Sequence, residues 1–162
     1  MTATQNPAWR IRPAEMDDLE TLIRLRRLMF VDMGYDDLET LDRAERSWRA
    51  YFAEQMPTGV FRVWIAVIEH QIVGCIGLVI HSVPPAMGAH DGRVGYIMNL
   101  VIEPDMRRRG IAESLLTHVL GVLREESVSV ATLHASREGR RLYEKLGFAL
   151  RDIAPEMALR IH

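Results

Sequence analysis

The chain has 162 residues, 48% of them hydrophobic and 26% charged, with a formal net charge of −2. That length suits one domain with a real core, and that charge balance argues against a chain drawn to nucleic acid. The single cysteine, Cys75, excludes an intrachain disulfide, and its apolar surroundings make it a small core residue rather than a nucleophile.

Residues 1–7 read as a loose polar tail and residues 8–162 as one domain. The N-terminus lacks a basic flank followed by an apolar stretch, and no apolar run is long enough to span a bilayer. A cytoplasmic protein with no membrane partner is expected. Trp9 to Arg12 predicts a first strand. Pro13 and the acids Glu15, Asp17 and Asp18 open a helix over about 15–33, with Leu19, Leu22, Ile23, Leu25, Leu28 and Met29 at helical spacing and Gly34 as its stop. Asp36 to Gln55 predicts a second helix. Val60–Glu69 and Ile72–Val83 predict a hairpin about His70-Gln71. A breaker-rich loop, Ser82 to Arg93, leads to a strand over Val94–Ile102 that Pro104 ends. Arg109–Glu125 predicts a helix, Ser127–Leu133 a strand, and Ser136–Leu146 a helix that Gly147 ends. Phe148–Arg151 and Met157–Ile161 have the pattern of closing strands. The order β-α-α-β-β-β-α-β-α-β-β describes an α/β domain with a mixed sheet of about seven strands and about four helices.

The stretch Arg107-Arg108-Arg109-Gly110-Ile111-Ala112 follows a strand and opens an amphipathic helix. The first amides of a helix have no internal partner and carry the positive end of its dipole. Small residues let an anion approach them. The physics is that of a phosphate-binding helix start. There is no Gly-Lys-Ser/Thr loop and no G-x-G-x-x-G after a strand, so neither a Walker loop nor a dinucleotide fingerprint is present.

Ile102-Glu103-Pro104 followed by Arg107-Arg108-Arg109-Gly110-Ile111-Ala112 resembles the acyl-CoA signature V/I-x-P…R/Q-x-x-G-x-G/A of the GCN5-related N-acetyltransferases. Ser136 to Phe148, SREGRRLYEKLGF, resembles that family's second block, N-x-x-A-x-x-L-Y-E-K-x-G-F. The order and spacing of both blocks match, and the predicted element order matches the family fold over nearly the whole chain. The resemblance implies acetyl-CoA as acetyl donor. It implies that the amides of Arg108, Arg109, Gly110, Ile111 and Ala112 meet the pyrophosphate, with the side chains of Arg107, Arg108 and Arg109 around it. It also implies that the preceding strand is bulged and splayed, so that Leu100, Val101 and Ile102 offer backbone groups to the pantetheine arm. Ser136 and Gly139 depart from the usual asparagine and alanine. Ser136 is therefore either a cofactor contact or a helix N-cap.

Acetyl transfer needs an oxyanion stabiliser, for which a backbone N–H near Leu100 or Val101 is suited. It also needs a proton donor to the thiolate. Tyr143 matches the family tyrosine for that role, and a phenol near pKa 10 is a reasonable donor. The amine must be neutral, yet less than about 0.1% of an alkylammonium is neutral at pH 7. The glutamate that many relatives carry within the strand is missing, since Glu103 lies at its far end. Tyr96, Asn99 and His134 are the residues that stand to order a water instead. The loop Phe30–Glu39 carries Phe30, Met33, Tyr35 and Asp36 as candidate acceptor contacts, and its acids suit a cationic amine. The alternative is that Asp36 and Asp37 cap the second helix. The loop Pro84–Gly92 reads as either a flap or a mobile connector. No histidine spacing suggests a metal.

The expected activity is transfer of an acetyl group from acetyl-CoA to a primary amine, with a small molecule as the leading acceptor. A protein N-terminus or lysine, and a non-catalytic acyl-CoA-binding module, are the alternatives. A homodimer is open through the apolar final segment MALRI, Met157 to Ile161.

Overall fold

In a computed structural model of the chain, which describes residues 8–151 and 157–161, one mixed sheet organises everything else. Its strands are β1 (Arg10–Pro13), β2 (Phe61–Ile68), β3 (Gln71–Ser82), β4 (Arg93–Ile102) and β5 (Val130–Leu133), lying side by side in chain order. Neighbours from β1 to β4 are antiparallel, and only β4 and β5 run parallel. The helices are α1 (Leu19–Asp32), α2 (Leu38–Gln55), α3 (Ile111–Glu125) and α4 (Arg140–Lys145).

The period-2 pattern of the strands feeds two cores, one on each face. On one side Leu22, Ile23 and Leu25 of α1 and Phe52 of α2 close over Phe61, Val63, Ile65, Val67, Cys75 and Val101. On the other, Ile111, Leu115, Leu116, Val119 and Leu123 of α3 cover Trp64, Ala66, Ile76, Leu78, Ile97 and Ile102. Successive β4 residues thus look toward α1 and α3 by turns.

The acidic run before α1 does more than face a dipole. It forms a short 3-10 turn, Met16–Asp18, in which Arg12 grips the Asp18 carboxylate through two bonds of 2.7 and 2.9 Å while Asp18 accepts from the Glu15 amide at 2.8 Å. The helix proper starts only afterwards. Asp37 caps α2 by accepting from the Thr40 amide at 3.2 Å.

The sheet has five strands, not about seven. Phe148–Arg151 and Met157–Ile161 form no strand, and residues 152–156 fall outside the described residues. The backbone at Phe148 is spent elsewhere: its amide donates to the Tyr143 carbonyl at 3.0 Å, and Gly147 at φ 94° closes the α4 C-terminus. Met157, Leu159 and Ile161 alternate as a strand would, but their side chains are exposed. The fourth helix is also shorter than Ser136–Leu146, because Ser136 Oγ accepts from the Gly139 amide at 3.1 Å and holds residues 137–139 in turns.

Candidate functional site

Strand β4 is where the site is built. Its pairing with β5 runs from Val94↔Val130 to Ile97↔Leu133 and stops there, while β4 itself continues to Ile102. Among the described residues, no strand covers the β5-side edge of Met98 to Ile102. Opposite the same stretch, the register with β3 slips: Gly77 faces Met98, and Cys75 faces Val101. Between these pairs the single residue Ile76 of β3 stands opposite two on β4, Asn99 and Leu100. This is a bulge, and Asn99 sits in it at φ 55°. The bulge implied by the family resemblance is present at this position, and the pairing with β5 has ended before it.

Beyond Ile102 the chain makes a short 3-10 turn, Pro104–Met106, and reaches α3 through two left-handed residues, Arg108 at φ 60° and Gly110 at φ 88°. The helix ladder begins with the Ser114 amide donating to the Gly110 carbonyl at 3.0 Å. The amides of residues 108–112 donate to no acceptor among the described residues, which leaves them to an outside anion. A β-carbon on Gly110 would meet nothing nearer than Trp9 at 3.9 Å. Gly110 is therefore required by its backbone angle rather than by crowding within the protein. A surface groove of about 580 Å³ opens between Trp9, Ile11 and the first turns of α3 on this side of the turn.

The three arginines do not act alike. The Arg107 side chain is held by the protein itself: Nε donates to the Ile102 carbonyl at 3.0 Å, and Nη2 pairs with Asp32. Its guanidinium ties α1 to the end of β4, so Arg107 and the Ile102 carbonyl, both expected at the cofactor, are already occupied. Arg109 donates to the Asp105 carbonyl at 3.3 Å. Arg108 remains exposed beside the turn.

The candidate catalytic residues flank the open edge of β4 on both faces. Tyr143 lies on the α3 side, packed with Leu142, Leu133 and Leu100 around that core. Its ring meets Phe148 edge-on at 6.0 Å. Burial raises the pKa of its phenol. The ring passes so close to Gly139 that a β-carbon there would lie 2.9 Å from Tyr143 Cε2. The departure from alanine at 139 thus has a local cause. Ser136 Oγ accepts from the Gly139 amide at 3.1 Å in the turn before α4, whose own N-cap is Gly139 rather than Ser136.

The other face holds Tyr96, Asn99 and His134. Gly95 and Ile97 look toward α3, so Tyr96 looks toward α1. Its hydroxyl shares a 2.8 Å hydrogen bond with His134 Nδ1, the direction being set by the histidine tautomer. Asn99 is 4% exposed, and its side-chain oxygen accepts from Arg26 Nη1 of α1. Its backbone carbonyl accepts from the Cys75 thiol at 3.4 Å. Burial pushes that thiol up to about 12, so it carries no reactive thiolate.

The loop Phe30–Glu39 divides. Phe30 is part of an aromatic wall, stacked on Trp48 at 5.0 Å and met edge-on by Tyr35 at 5.4 Å. Met33 is 48% and Tyr35 52% exposed. The acids are mostly engaged: Asp32 with Arg107, Asp37 as helix cap, Glu39 with Arg43. Asp36 is exposed. Glu103 pairs with Arg24, away from any base role. The loop 84–92 folds on itself, with Ala86 and Ala89 exchanging bonds of 3.0 and 3.2 Å, and it enters β4 seven residues before Asn99. At about 3.3 Å per residue it joins the strand roughly 20 Å away. Among the described residues, no three His, Cys, Asp or Glu side chains group to hold a metal, and no helix is long and apolar enough to cross a membrane.

Sequence reasoning missed Arg26. Its signal was present: at i+4 from Leu22 and i−4 from Phe30 it stands on the apolar stripe of α1, where a charge calls for a partner.

The comparisons agree with this geometry. A protein from Ralstonia eutropha JMP134 described as a GCN5-related N-acetyltransferase superposes with a TM-score of 0.87, at 30% identity, over 94% of this chain and 98% of that one. A predicted acetyltransferase from Clostridium acetobutylicum, solved with acetyl-CoA, gives 0.83 at 28% identity, over 95% and 99%. Among curated proteins, the uncharacterized N-acetyltransferase YafP of Escherichia coli (strain K12) is 29% identical over 104 residues, which is 64% of this chain. The match spans about half of that relative's length, 53%. The model of the acetyltransferase (GNAT) family matches residues 21–148. With the bulged β4, its uncovered edge and the left-handed turn into α3 all in place, the chain belongs to the GNAT acetyltransferase family.

Proposed function

We propose that the protein transfers the acetyl group of acetyl-CoA to a primary amine of a small molecule. The observation that carries this reading is the form of β4: its edge is left open from Met98 to Ile102, and its end leads into the outward-facing amides at the start of α3. The relative solved with acetyl-CoA supports it. Acetyl-CoA supplies an activated thioester when bound. The amides of residues 108–112 then hold its pyrophosphate, with Arg108 and Arg109 nearby, and the backbone of Leu100 and Val101 completes the strand edge for its extended arm.

The residues divide the proton work. Tyr96 and His134 order a water that relays the ammonium proton out to solvent, and Asn99 fixes the floor beside them. The amine nitrogen attacks the thioester carbon, and a backbone N–H of the bulge near Leu100 or Val101 receives the oxyanion. As the carbon–sulfur bond breaks, Tyr143 donates its proton to the leaving thiolate, the attached nitrogen gives up its extra proton to solvent, and solvent reprotonates the tyrosinate. Burial keeps the phenol protonated well into alkaline solution. The aromatic wall of Phe30, Tyr35 and Trp48 supports a compact acceptor. A cytoplasmic location and a homodimer belong to the same reading.

The test is release of coenzyme A thiol from acetyl-CoA against amines, amino acids, polyamines, aminoglycosides and short peptides. Turnover with a small amine is expected. Turnover confined to peptides would move the acceptor to protein. Failure of acetyl-CoA to bind in calorimetry would overturn the reading.

A further inference from the structure

Three arginines lie within four residues on α1, and two of them are paired. Arg24 meets Glu103, and Arg27 meets Asp42 and Glu45 at 2.8 Å each. Arg26 has no carboxylate among the described residues. Its guanidinium carbon lies 5.2 Å from the Phe30 ring centre and 5.0 Å from that of Trp48. Nη1 donates to Asn99 in the β4 bulge, while Nε is sealed from solvent without an acceptor. Desolvation lowers its pKa, and the groups that act on its charge, Cys75, Tyr96 and Tyr51, include no carboxylate. A half-buried cation held by aromatic faces and one amide, with no carboxylate beside it, has anion-binding capacity to spare.

Asn99 shows which donors are left over. Arginine has no acceptor, so the amide must turn its oxygen toward Arg26 and keep its NH₂ for something else. With Nε sealed, the guanidinium can engage a ligand only end-on, through its two terminal nitrogens. That fork, with the Asn99 NH₂ beside it, suits a planar carboxylate. Asn99 is the second residue past the last β4–β5 pair, so this donor set stands at the mouth of the open edge.

We propose that Arg26, together with Asn99, forms the carboxylate-binding half of the acceptor site, and that the acceptor class is an amine that also bears a carboxylate, as amino acids do. The inference rests on the acetyl-transfer reading and narrows it. It replaces the cationic acceptor suggested by the acidic loop Phe30–Glu39, whose Asp32, Asp37 and Glu39 have partners of their own. It also bears on the missing carboxylate base. A fixed positive charge near the acceptor ammonium lowers that ammonium's pKa, so the neutral amine is reached with less help.

The test sets each amino acid against its own amide and its decarboxylated amine, with acetyl-CoA and the full chain, reading coenzyme A release. Wild type is expected to favour the acid over the amide by roughly 10- to 100-fold in kcat/KM. Arg26→Gln is expected to bring that ratio toward one, chiefly by raising KM for the acid, and Arg26→Lys to retain part of it. Equal use of acid and amide by wild type would overturn the proposal without any variant. So would an Arg26→Gln protein, shown to be folded by its melting curve, that keeps the wild-type ratio. If acetyl-CoA raises the melting temperature but only amines without a carboxylate are acetylated, acetyl transfer stands and this inference falls. If acetyl-CoA produces no stabilisation, the parent reading falls and this one with it.

Discussion

The Tyr143 ring lies across the α-carbon of Gly139, leaving only 2.9 Å between Cε2 and the place a β-carbon would occupy. The N-cap of α4 is thus a residue whose missing side chain makes room for the proposed acid. Gly139→Ala is expected to push the ring aside and lower kcat several-fold while leaving acetyl-CoA affinity nearly unchanged, since small displacements of a catalytic group are costly. Titration calorimetry beside steady-state kinetics separates the two. An unchanged kcat would mean the ring position is not critical.

Tyr143→Phe removes the hydroxyl and keeps the packing against Phe148. A loss of about 10²- to 10⁴-fold in kcat is expected, with little change in acetyl-CoA binding. The pH profile adds a second readout. The acid must be protonated to act, and burial raises its pKa. Any alkaline fall in kcat owed to this group should therefore lie above the usual tyrosine range near pH 10. Equal turnover by the phenylalanine variant would remove Tyr143 as the acid.

Gly110 holds φ 88° with open space around its α-carbon. Gly110→Ala is expected to cost about 1–2 kcal/mol in backbone strain at the turn and to weaken acetyl-CoA binding. Gly110→Asp adds a negative charge where the pyrophosphate is expected and should reduce affinity by about 100-fold or more. Unchanged affinity in the aspartate variant would sink the anion site.

Asp18 is 8% exposed and bound by Arg12 and the Glu15 amide, which hold its carboxyl below the usual carboxylate range. The sign follows directly. A depressed native pKa contributes stability above the unfolded value near 3.9, and that contribution disappears as pH falls through the native value. Asp18→Asn should cost about 2 kcal/mol at pH 7, with the deficit shrinking below about pH 4. Denaturant melts at pH 7 and pH 3 check both parts. A deficit that stays constant with pH would mean the charge plays no part.

Asp37 caps α2, and Asp36 has an exposed side chain. Asp37→Ala is expected to lower the melting temperature by removing the cap of α2 without raising KM for the acceptor, and Asp36→Asn to change neither. A raised KM for a cationic amine in either variant would restore the acidic loop as an acceptor contact.

Much of this site could be read from short spacings. The run from Ile102 to Ala112 marks the helix start because a strand, a proline, a glycine and an apolar stripe fall within one turn-length of each other. Tyr143 is marked in the same way by the block that ends in Gly147-Phe148. Alternation along RVGYIMNL was enough to place Asn99 as a candidate. What could not be read depends on distance along the chain. Arg26 reaches Asn99 across 73 positions, and Arg107 reaches Asp32 across 75. The apolar stripe of α1 marks Arg26 as the inward arginine, but no local pattern names the residue it will meet. The closing strands failed for a related reason. Alternating apolar residues at Met157, Leu159 and Ile161 express a preference that becomes a strand only when a neighbouring strand pairs with it, and the Phe148 amide is already bonded at the end of α4.

Cys75 sits in the middle of β3 under α1, 1% exposed, with its thiol pushed up to about 12 and its hydrogen directed at the Asn99 carbonyl. As the chain's only cysteine, it makes the protein its own opening gauge. A thiol reagent should leave the folded chain unlabelled and modify it once per molecule after α1 lifts from the sheet. The labelling rate then reports how often that face of the fold comes apart, and slower labelling with a bound ligand would show how firmly that ligand keeps α1 and β4 together.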